Sequence, residues 1–261
     1  MDENKKVLSA VIGFFILLAV VIAVYYLFIR EKGEEMPKVP EVVEETVIPL
    51  ESGERDEDLI KPIEVLEVEL DESDELMRKL AAELSSRPEL AKWLLTKDII
   101  RKFVAAVDNI ANGNSPRKNI DFFHPGKFFP LKKEGVCYLD PAGFKRYSPV
   151  ANVFSSLDSE GCFRLYRQLK LAIQEAYQDL GYPDKDFNTT LFQAMDELLK
   201  VPVIEKDVAL EEKLMSYVMV DPELEKLSEA QKHLFRMGPV NIRKIKTKLK
   251  ELEYIFKKGL G

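Results

Sequence analysis

The sequence predicts a mainly α-helical protein in which a compact multi-helix domain follows one N-terminal transmembrane helix and a disordered acidic linker. Three observations lead to this prediction. A long uncharged stretch lies near the N-terminus, and a run rich in Glu and Pro follows it. From residue 73 onward, apolar residues recur at the three- and four-residue spacing of amphipathic helices. The 261 residues, 46% of them hydrophobic, suffice for one core with appendages.

Residues 7–29 contain no charged side chain over 23 positions. Since about 20 apolar residues cross the hydrocarbon core of a bilayer as a helix, we expect a transmembrane helix here. A cleaved signal peptide is the alternative, but its apolar region usually has about 7–15 residues and a small-residue cleavage site after it. Basic residues flank both ends almost evenly, so their tally does not set the orientation. Bacterial proteins with a single N-terminal anchor usually keep the short N-terminal tail in the cytoplasm. We therefore expect residues 1–6 in the cytoplasm and the C-terminal domain in the periplasm.

Residues 30–72 are expected to form the acidic linker. Residues 31–75 include 18 acidic and 4 basic residues, whereas residues 76–261 carry 31 basic and 25 acidic ones. A stretch this rich in Glu and Pro buries too little apolar surface to order itself, and self-repulsion would extend it. Within it, "IEVLEVEL" (63–70) partly alternates apolar and acidic residues, so an edge strand is the alternative there.

Residues 73–258 are expected to form the helical domain. Its first helices are "SDELMRKLAAELSS", "RPELAKWLL" and "TKDIIRKFVAAVDNIANG", the last capped by Thr96 and ended by Gly113. The strongest pattern, "SEGCFRLYRQLKLAIQEAYQDLG", predicts one helix ended by Gly181. Further helices are expected in "DKDFNTTLFQAMDELLK", "DPELEKL", "SEAQKHLFRM" and from Pro239 to about Lys257.

Two segments lack this helical pattern. Residues 114–148 are rich in Pro, Gly and aromatic residues, and "FFPLKKEGVCYL" predicts a short β-hairpin around Lys133–Gly135. The stretch "KDVALEEKLMSYVMVD" is compatible with either strand or loop.

Several stretches carry a resemblance to a known family: "RKFVAAVDNIANG", "FKRYSPVANVFSSLD", "LYRQLKLAIQEAYQDLGYPDKDF", "PVIEKDVAL" and "LSEAQKHLFRMGPVNIRKIKTKLKEL". Through them the chain resembles the uncharacterised bacterial family catalogued as domain of unknown function 3014. They cover most of residues 73–252, in order. The resemblance implies an N-terminally anchored envelope protein, and it brings no activity and no catalytic residues.

The last predicted helix carries a run of basic residues that resembles a nucleic-acid reader: Arg243, Lys244, Lys246, Lys248 and Lys250. Apolar residues from Ile242 to Phe256 form a seam at three-four spacing, which leaves the basic residues on the other faces. Polar base-contacting residues should begin a recognition helix, but Val240 and Ile242 flank Asn241. We interpret the helix as a packing helix with a basic outer face, which could also bind an envelope polyanion or an acidic partner.

Cysteine and histidine give few leads. Cys137 and Cys162 could form a disulfide in an oxidising periplasm, or they could be two independent small apolar side chains. His124 and His233 are isolated in sequence, and no HExxH, CxxC, GxSxG or Walker-type loop occurs. We therefore predict no metal and no cofactor.

An aromatic and polar cluster is the best candidate binding site: Arg101, Asp108, Arg146, Tyr147, Tyr166, Lys170 and Tyr177. The alternative is a polar network that joins the irregular segment to the helices. Glu175 on one predicted helix could face Asp196 or Glu197 on the next across a cleft, which keeps a cell-wall hydrolase open as an alternative, although such pairs are common on solvated faces.

These features together predict a single-pass inner-membrane protein with a periplasmic, non-catalytic interaction or scaffolding domain. The expected partners are the bilayer, through residues 7–29, and another envelope protein or an envelope polyanion. An enzyme acting on envelope or cell-wall substrates is the alternative, and a cytoplasmic nucleic-acid binder would require the reversed topology. The oligomeric state and the identity of the partner do not follow from the sequence.

Overall fold

The computed structural model describes residues 63–119, 130–214 and 216–260. The predicted tail 1–6, the predicted transmembrane helix 7–29, most of the linker and His124 lie outside these residues. Among the described residues, no helix has the length and apolar character needed to cross a membrane.

The described chain is mainly helical, as predicted. Its α-helices, in chain order, are α1 (Ser73–Ala82), α2 (Pro88–Trp93), α3 (Ile99–Ala111), α4 (Pro141–Phe144), α5 (Ser148–Ser155), α6 (Ser159–Gln168), α7 (Lys170–Asp179), α8 (Phe187–Leu199), α9 (Pro222–Glu225), α10 (Glu229–Phe235) and α11 (Pro239–Leu260). Short 3-10 helices cover Leu70–Glu72, Pro116–Lys118 and Lys145–Tyr147.

The core forms where the apolar stripes of the longer helices meet. Helix α3 packs against α7 and α8, while α11 packs against α5, α6 and α8. Val104 of α3 and Phe163 of α6 are fully buried, and the Phe163 ring meets Phe256 of α11 edge to face at a centroid distance of 5.3 Å. The predicted seam of α11 is therefore a packing surface, with Ile242, Ile245 and further apolar residues buried.

A small antiparallel sheet accompanies the helices, with strand order β1 (Leu131–Lys133), β2 (Val136–Tyr138), β3 (Ala209–Glu212) and β4 (Tyr217–Met219). The predicted hairpin is confirmed: its two turn residues, Glu134 and Gly135, have φ values of 50° and 83°. Two left-handed residues match the twist of the flanking strands in a tight hairpin. The stretch that the sequence left open between strand and loop supplies β3 and β4.

Two helix boundaries differ from the predictions. The single helix expected over 159–181 is divided at Leu169, where φ is −98° and ψ is 14°. The bend lets α6 pack on α11 while α7 packs on α3. The expected cap at Thr96 is also wrong, because α3 begins after Asp98. Its first N–H groups are satisfied from α1, since the Asp74 carboxylate accepts from the N–H groups of Asp98 and Ile99, each at 2.9 Å.

Residues 63–72, which the sequence assigned to the linker, pack on the domain. Leu70 is buried, and the Leu66 N–H donates to the Gln168 carbonyl at 2.9 Å. Residues 63–69 form no strand, so the alternative prediction of an edge strand is not met either. The apolar residues between the glutamates explain this packing, since Ile63 and Val68 contact the core.

Candidate binding groove

A groove of about 430 Å³ opens where the chains that form β2 and β3 separate. Leu139, after β2, donates its N–H to the Val208 carbonyl at 3.0 Å, the last such bond before the two chains diverge. Beyond it, residues 204–208 form one wall and Pro141–Phe144 with Lys145 and Ser148 form the other. The α10–α11 corner closes the floor with the side chains of Phe235, Met237, Pro239, Val240 and Ile242.

Two residues, Gly238 and Asn241, hold the α10–α11 corner in its conformation. Gly238 has a φ of 84°, and a Cβ atom there would lie 2.4 Å from the Phe144 ring. The buried amide of Asn241 donates to the carbonyl oxygens of Phe144 at 3.0 Å and Met237 at 2.8 Å. Asn241 therefore fixes one wall of the groove to its floor. This internal role, and not base recognition, explains a polar residue between Val240 and Ile242.

The charged residues at the rim are not equivalent. The carboxylate of Asp207 pairs with Lys133 at 2.9 Å, and that of Glu205 pairs with Arg243. Lys145 and Lys206 are exposed and make no ion pair within the described part of the chain. Since partners neutralise the acidic groups, the described residues leave the positive charges of Lys145 and Lys206 unpaired at the groove.

The stretch 203–207, which contains four of the five residues of the 204–208 wall, leaves main-chain groups available. Across residues 63–119, 130–214 and 216–260, no backbone N–H or carbonyl of 203–207 has a hydrogen-bond partner. Ordinary folded chains satisfy such groups with backbone, side chains or water. A segment of this kind beside an apolar groove is a site where another chain can form main-chain hydrogen bonds.

A second, smaller cleft of about 300 Å³ lies between α3, α7 and α8. It contains Asp108 and Tyr177 of the predicted cluster, together with Tyr182 and Lys185. The Tyr182 ring stacks on the Tyr177 ring at a centroid distance of 4.7 Å, and the Lys185 ammonium lies 4.7 Å from the Tyr182 centroid. The negative charge of Asp108 raises the pKa of Tyr182, with partial burial adding to the effect. Tyr182 is therefore already engaged by two neighbouring side chains in this cleft.

The structure does not assemble the rest of the predicted cluster into one site. Arg101 pairs with Asp71 at 2.7 Å, and Arg146 lies 5.0 Å from the ring of Tyr147. The hydroxyl of Tyr166 donates to Asn188, that of Tyr177 lies 2.7 Å from Thr190, and Lys170 is exposed on α7. Arg101, Tyr166 and Tyr177 thus contact residues of other helices or of the stretch 63–72. These contacts do not join the irregular segment 114–148 to the helices, so both interpretations of the cluster stay predictions.

The basic residues of α11 also divide into two groups. Lys248 is buried and donates to the Leu157 carbonyl at 2.8 Å and to the Ser159 hydroxyl at 3.0 Å. Lys246 is half-buried and donates to the Val201 carbonyl at 2.8 Å. Lys244 donates to Asn152 at 2.7 Å, and Lys250 is exposed. Since Arg243 pairs with Glu205, four of the five residues contact other parts of the domain. The predicted basic outer face is therefore smaller than the sequence suggested, because Lys246 is half-buried and Lys248 is buried.

The two cysteines are free in the structure, so it does not contain the disulfide that the sequence allowed. Cys137 is buried in β2 opposite Leu210 of β3, and Cys162 is partly buried in α6. Desolvation raises the pKa of the Cys162 thiol to about 12, and the charge of Asp158 adds to this shift. His233 is buried, with its Nδ1 2.9 Å from the Ser115 hydroxyl.

The carboxylates considered for hydrolysis do not meet in one cleft. Glu175 and Asp196 are exposed on α7 and α8, and Glu197 of α8 accepts a hydrogen bond from the Ser228 hydroxyl at 2.7 Å. None of these three carboxylates lines either cleft, whereas Asp108 lines the smaller one. Two-carboxylate hydrolysis requires both groups on either side of one bound substrate.

Sequence reasoning missed the groove because its lining comes from three distant stretches, around residues 139–148, 204–208 and 235–242. One usable signal was present. Asn241 interrupts an apolar seam just after a Gly-Pro corner, and a buried amide at such a place must find backbone partners.

A family model described as "Protein of unknown function (DUF3014)" matches residues 99–253, more than half of the chain. The matched range contains every lining residue of both clefts. Neither the curated proteins nor the solved structures include a significant match. From the extent of the family match, the chain belongs to the DUF3014 family.

Proposed function

We propose that this protein is a membrane-anchored interaction or scaffolding module of the bacterial cell envelope, with its helical domain in the periplasm. The observation that carries the binding role is the groove. An apolar floor meets two lysines and a main-chain segment there, and neither the lysines nor the segment has an ionic or hydrogen-bonding partner among the residues that the structure describes. Interfaces for protein segments combine such apolar anchoring with polar groups at the rim.

The proposed role is non-catalytic, although an envelope or cell-wall enzyme is the alternative. Neither Glu175 nor Asp196 nor Glu197 lines one of the two clefts, which argues against the two-carboxylate mechanism that first suggested an enzyme. Nucleic acid is the weaker choice of partner, because Lys246 and Lys248 are used inside the domain. The proposed partners are the bilayer, through residues 7–29, and another envelope protein, through the groove.

The location is tested with C-terminal fusions of the full chain to alkaline phosphatase and to a fluorescent protein that matures only in the cytoplasm. The proposal predicts phosphatase activity and no fluorescence. A fluorescent fusion without phosphatase activity would contradict the periplasmic location and make a nucleic-acid partner of the exposed basic residues worth testing.

The binding role is tested with a matched pair of variants, Val240→Asp and Val220→Asp. The two valines are 57% and 56% exposed, but only Val240 lines the groove. Asp near the start of α11 is compatible with the helix, because a helix N-terminus favours negative charge. We expect a discrete protein to be crosslinked in cells to the tagged wild type and to Val220→Asp, and to be lost from Val240→Asp. Equal recovery from all three would reject the groove as the binding site.

A further inference from the structure

We infer that the groove takes an extended segment of its protein partner in which apolar and acidic residues alternate, and that this segment pairs through its main chain with residues 203–207. The inference rests on the proposed function, because it specifies the chemistry of the partner at the same groove.

The main-chain pairing follows from the way in which the sheet ends. The hydrogen bonds between the β2 and β3 chains stop at Leu139 and Val208, and the groove opens directly beyond this pair. Residues 203–207 come just before β3 in the chain. They therefore lie beyond the point at which the chain that forms β2 turns away into α4. A partner strand laid in the groove would occupy the place that the β2 chain has left. The bend at Lys206 limits the pairing to a short stretch.

The alternation follows from the geometry of such a strand. Successive side chains of an extended chain point to opposite sides, so every second residue would face the floor. That floor is apolar, with Phe235, Met237 and Ile242 buried. The remaining side chains would face the rim, where Lys145 and Lys206 favour carboxylates.

Other occupants match the groove less well. An amphipathic helix uses its own main-chain groups internally, so it would leave 203–207 without partners. A polyanionic glycan would meet the two lysines but would leave the apolar floor exposed to polar groups. An extended strand would form hydrogen bonds with the main chain of 203–207, place apolar side chains on the floor and bring carboxylates to the lysines at the rim.

The test uses the purified full chain in detergent micelles and a fluorescent, end-blocked seven-residue peptide of alternating glutamate and valine. Binding is measured by fluorescence anisotropy. Two altered peptides accompany it: one has N-methyl groups on its valine amides, and the other has lysine in place of every glutamate. The protein variants are Lys206→Glu, at the rim, and Lys170→Glu, at an exposed position of α7 away from the groove.

We expect saturable binding of the alternating peptide. N-methylation should weaken it about tenfold or more, since it removes hydrogen-bond donors. Lysine substitution in the peptide, or Lys206→Glu in the protein, should also weaken binding by about tenfold, and Lys170→Glu should not. Undiminished binding of the N-methylated peptide would overturn the main-chain pairing, and undiminished binding of the lysine peptide would overturn the acidic preference. Absence of saturable binding by the alternating peptide would overturn the whole inference.

The two proposals fail separately. Loss of the in-cell partner from Val240→Asp, together with no binding of the alternating peptide, would keep the groove as an interface and reject this partner chemistry. Equal in-cell recovery from wild type and Val240→Asp would reject the groove itself, and the inference with it.

Discussion

Lys248 shows how a single residue can have a different role from the pattern that contains it. It lies in a run of basic residues, yet its ammonium group is buried among a carbonyl, a hydroxyl and the carboxylate of Glu251 at 2.8 Å. A lysine can bury its apolar stem and satisfy its charge at the tip. The sequence shows the charge but not the carbonyl oxygen from another element that accepts its hydrogen bond.

The substitution Lys248→Met should lower the free energy of unfolding by about 2–3 kcal/mol, because it removes hydrogen bonds from a charged group and leaves their acceptors buried. Lys250→Met, on the exposed side of the same helix, removes an equal charge and should change it by less than about 0.5 kcal/mol. Urea denaturation of both variants measures the difference. Equal effects would contradict the structural role of Lys248.

Cys162 should react slowly with alkylating reagents. Its pKa of about 12 keeps the thiol protonated at neutral pH, and the thiolate is the reactive form. Iodoacetamide at pH 8 should therefore modify it at least about 100-fold more slowly in the folded chain than in urea. Mass spectrometry of the peptide gives both rates. Rates within a few-fold of each other would show that the thiol is not desolvated.

At the scale of elements, helices α1 and α3 are joined by one carboxylate. Asp74 lies in the first turn of α1 and accepts hydrogen bonds from the first N–H groups at the start of α3. It also pairs with Arg78 at 3.3 Å. A residue from one helix thus provides the cap that local sequence placed at Thr96.

Asp74→Ala should reduce the free energy of unfolding by about 1–2 kcal/mol, which is typical for the loss of a helix cap. Glu75→Ala is the matched control, because Glu75 is also an acidic residue in the first turn of α1 but is exposed. The control should change stability by less than about 0.5 kcal/mol. Thermal or urea unfolding of the pair decides whether Asp74 has a role beyond its position in α1.

Glu225 connects α9, α10 and β4. Its carboxylate accepts from Lys232 at 2.6 Å and from the Met219 N–H at 2.7 Å. Desolvation acts to raise the pKa of Glu225, but these hydrogen bonds and the charge of Lys232 outweigh it, so the pKa is lowered. A carboxyl group with a lowered pKa in the folded state stabilises the fold above its unfolded pKa, and this stabilisation is lost as the pH falls through the folded value.

Glu225→Gln should therefore lower the free energy of unfolding at pH 7 by about 1 kcal/mol. The difference from wild type should shrink as the pH falls from 4.5, the ordinary value, through the lowered pKa. Glu223→Gln, an exposed change in the same short helix, is the control. A difference that is constant from pH 7 to pH 3 would contradict the account of Glu225.

The elements were predictable where local chemistry determines them. Apolar periodicity located most of the helices, and the Glu134–Gly135 turn located the hairpin. Helices α4 and α5 were not predicted. The bend at Leu169 was not predictable, because the periodic pattern runs through it and tertiary packing on two different helices divides it. The inclusion of residues 63–72 was missed because their acidic composition concealed the buried Leu70.

At the scale of the whole molecule, the candidate site was less predictable than the fold. Of the predicted cluster, Asp108 and Tyr177 line one cleft together, and that cleft is the smaller one. The larger groove depends on a separation of two strand-forming chains and a helical corner about 100 residues away from one of its walls. The spacing of residues within one stretch of sequence does not show that three distant stretches come together in the fold.

The central claim is that a protein partner occupies the groove in the cell, and photocrosslinking tests it most directly. A lysine analogue that carries a diazirine would replace Lys206 at the rim in one full-length chain and Lys170 on α7 in another. The account predicts a discrete adduct with another protein after illumination from position 206 and none from position 170. No adduct from position 206, or the same adduct from both positions, would contradict it.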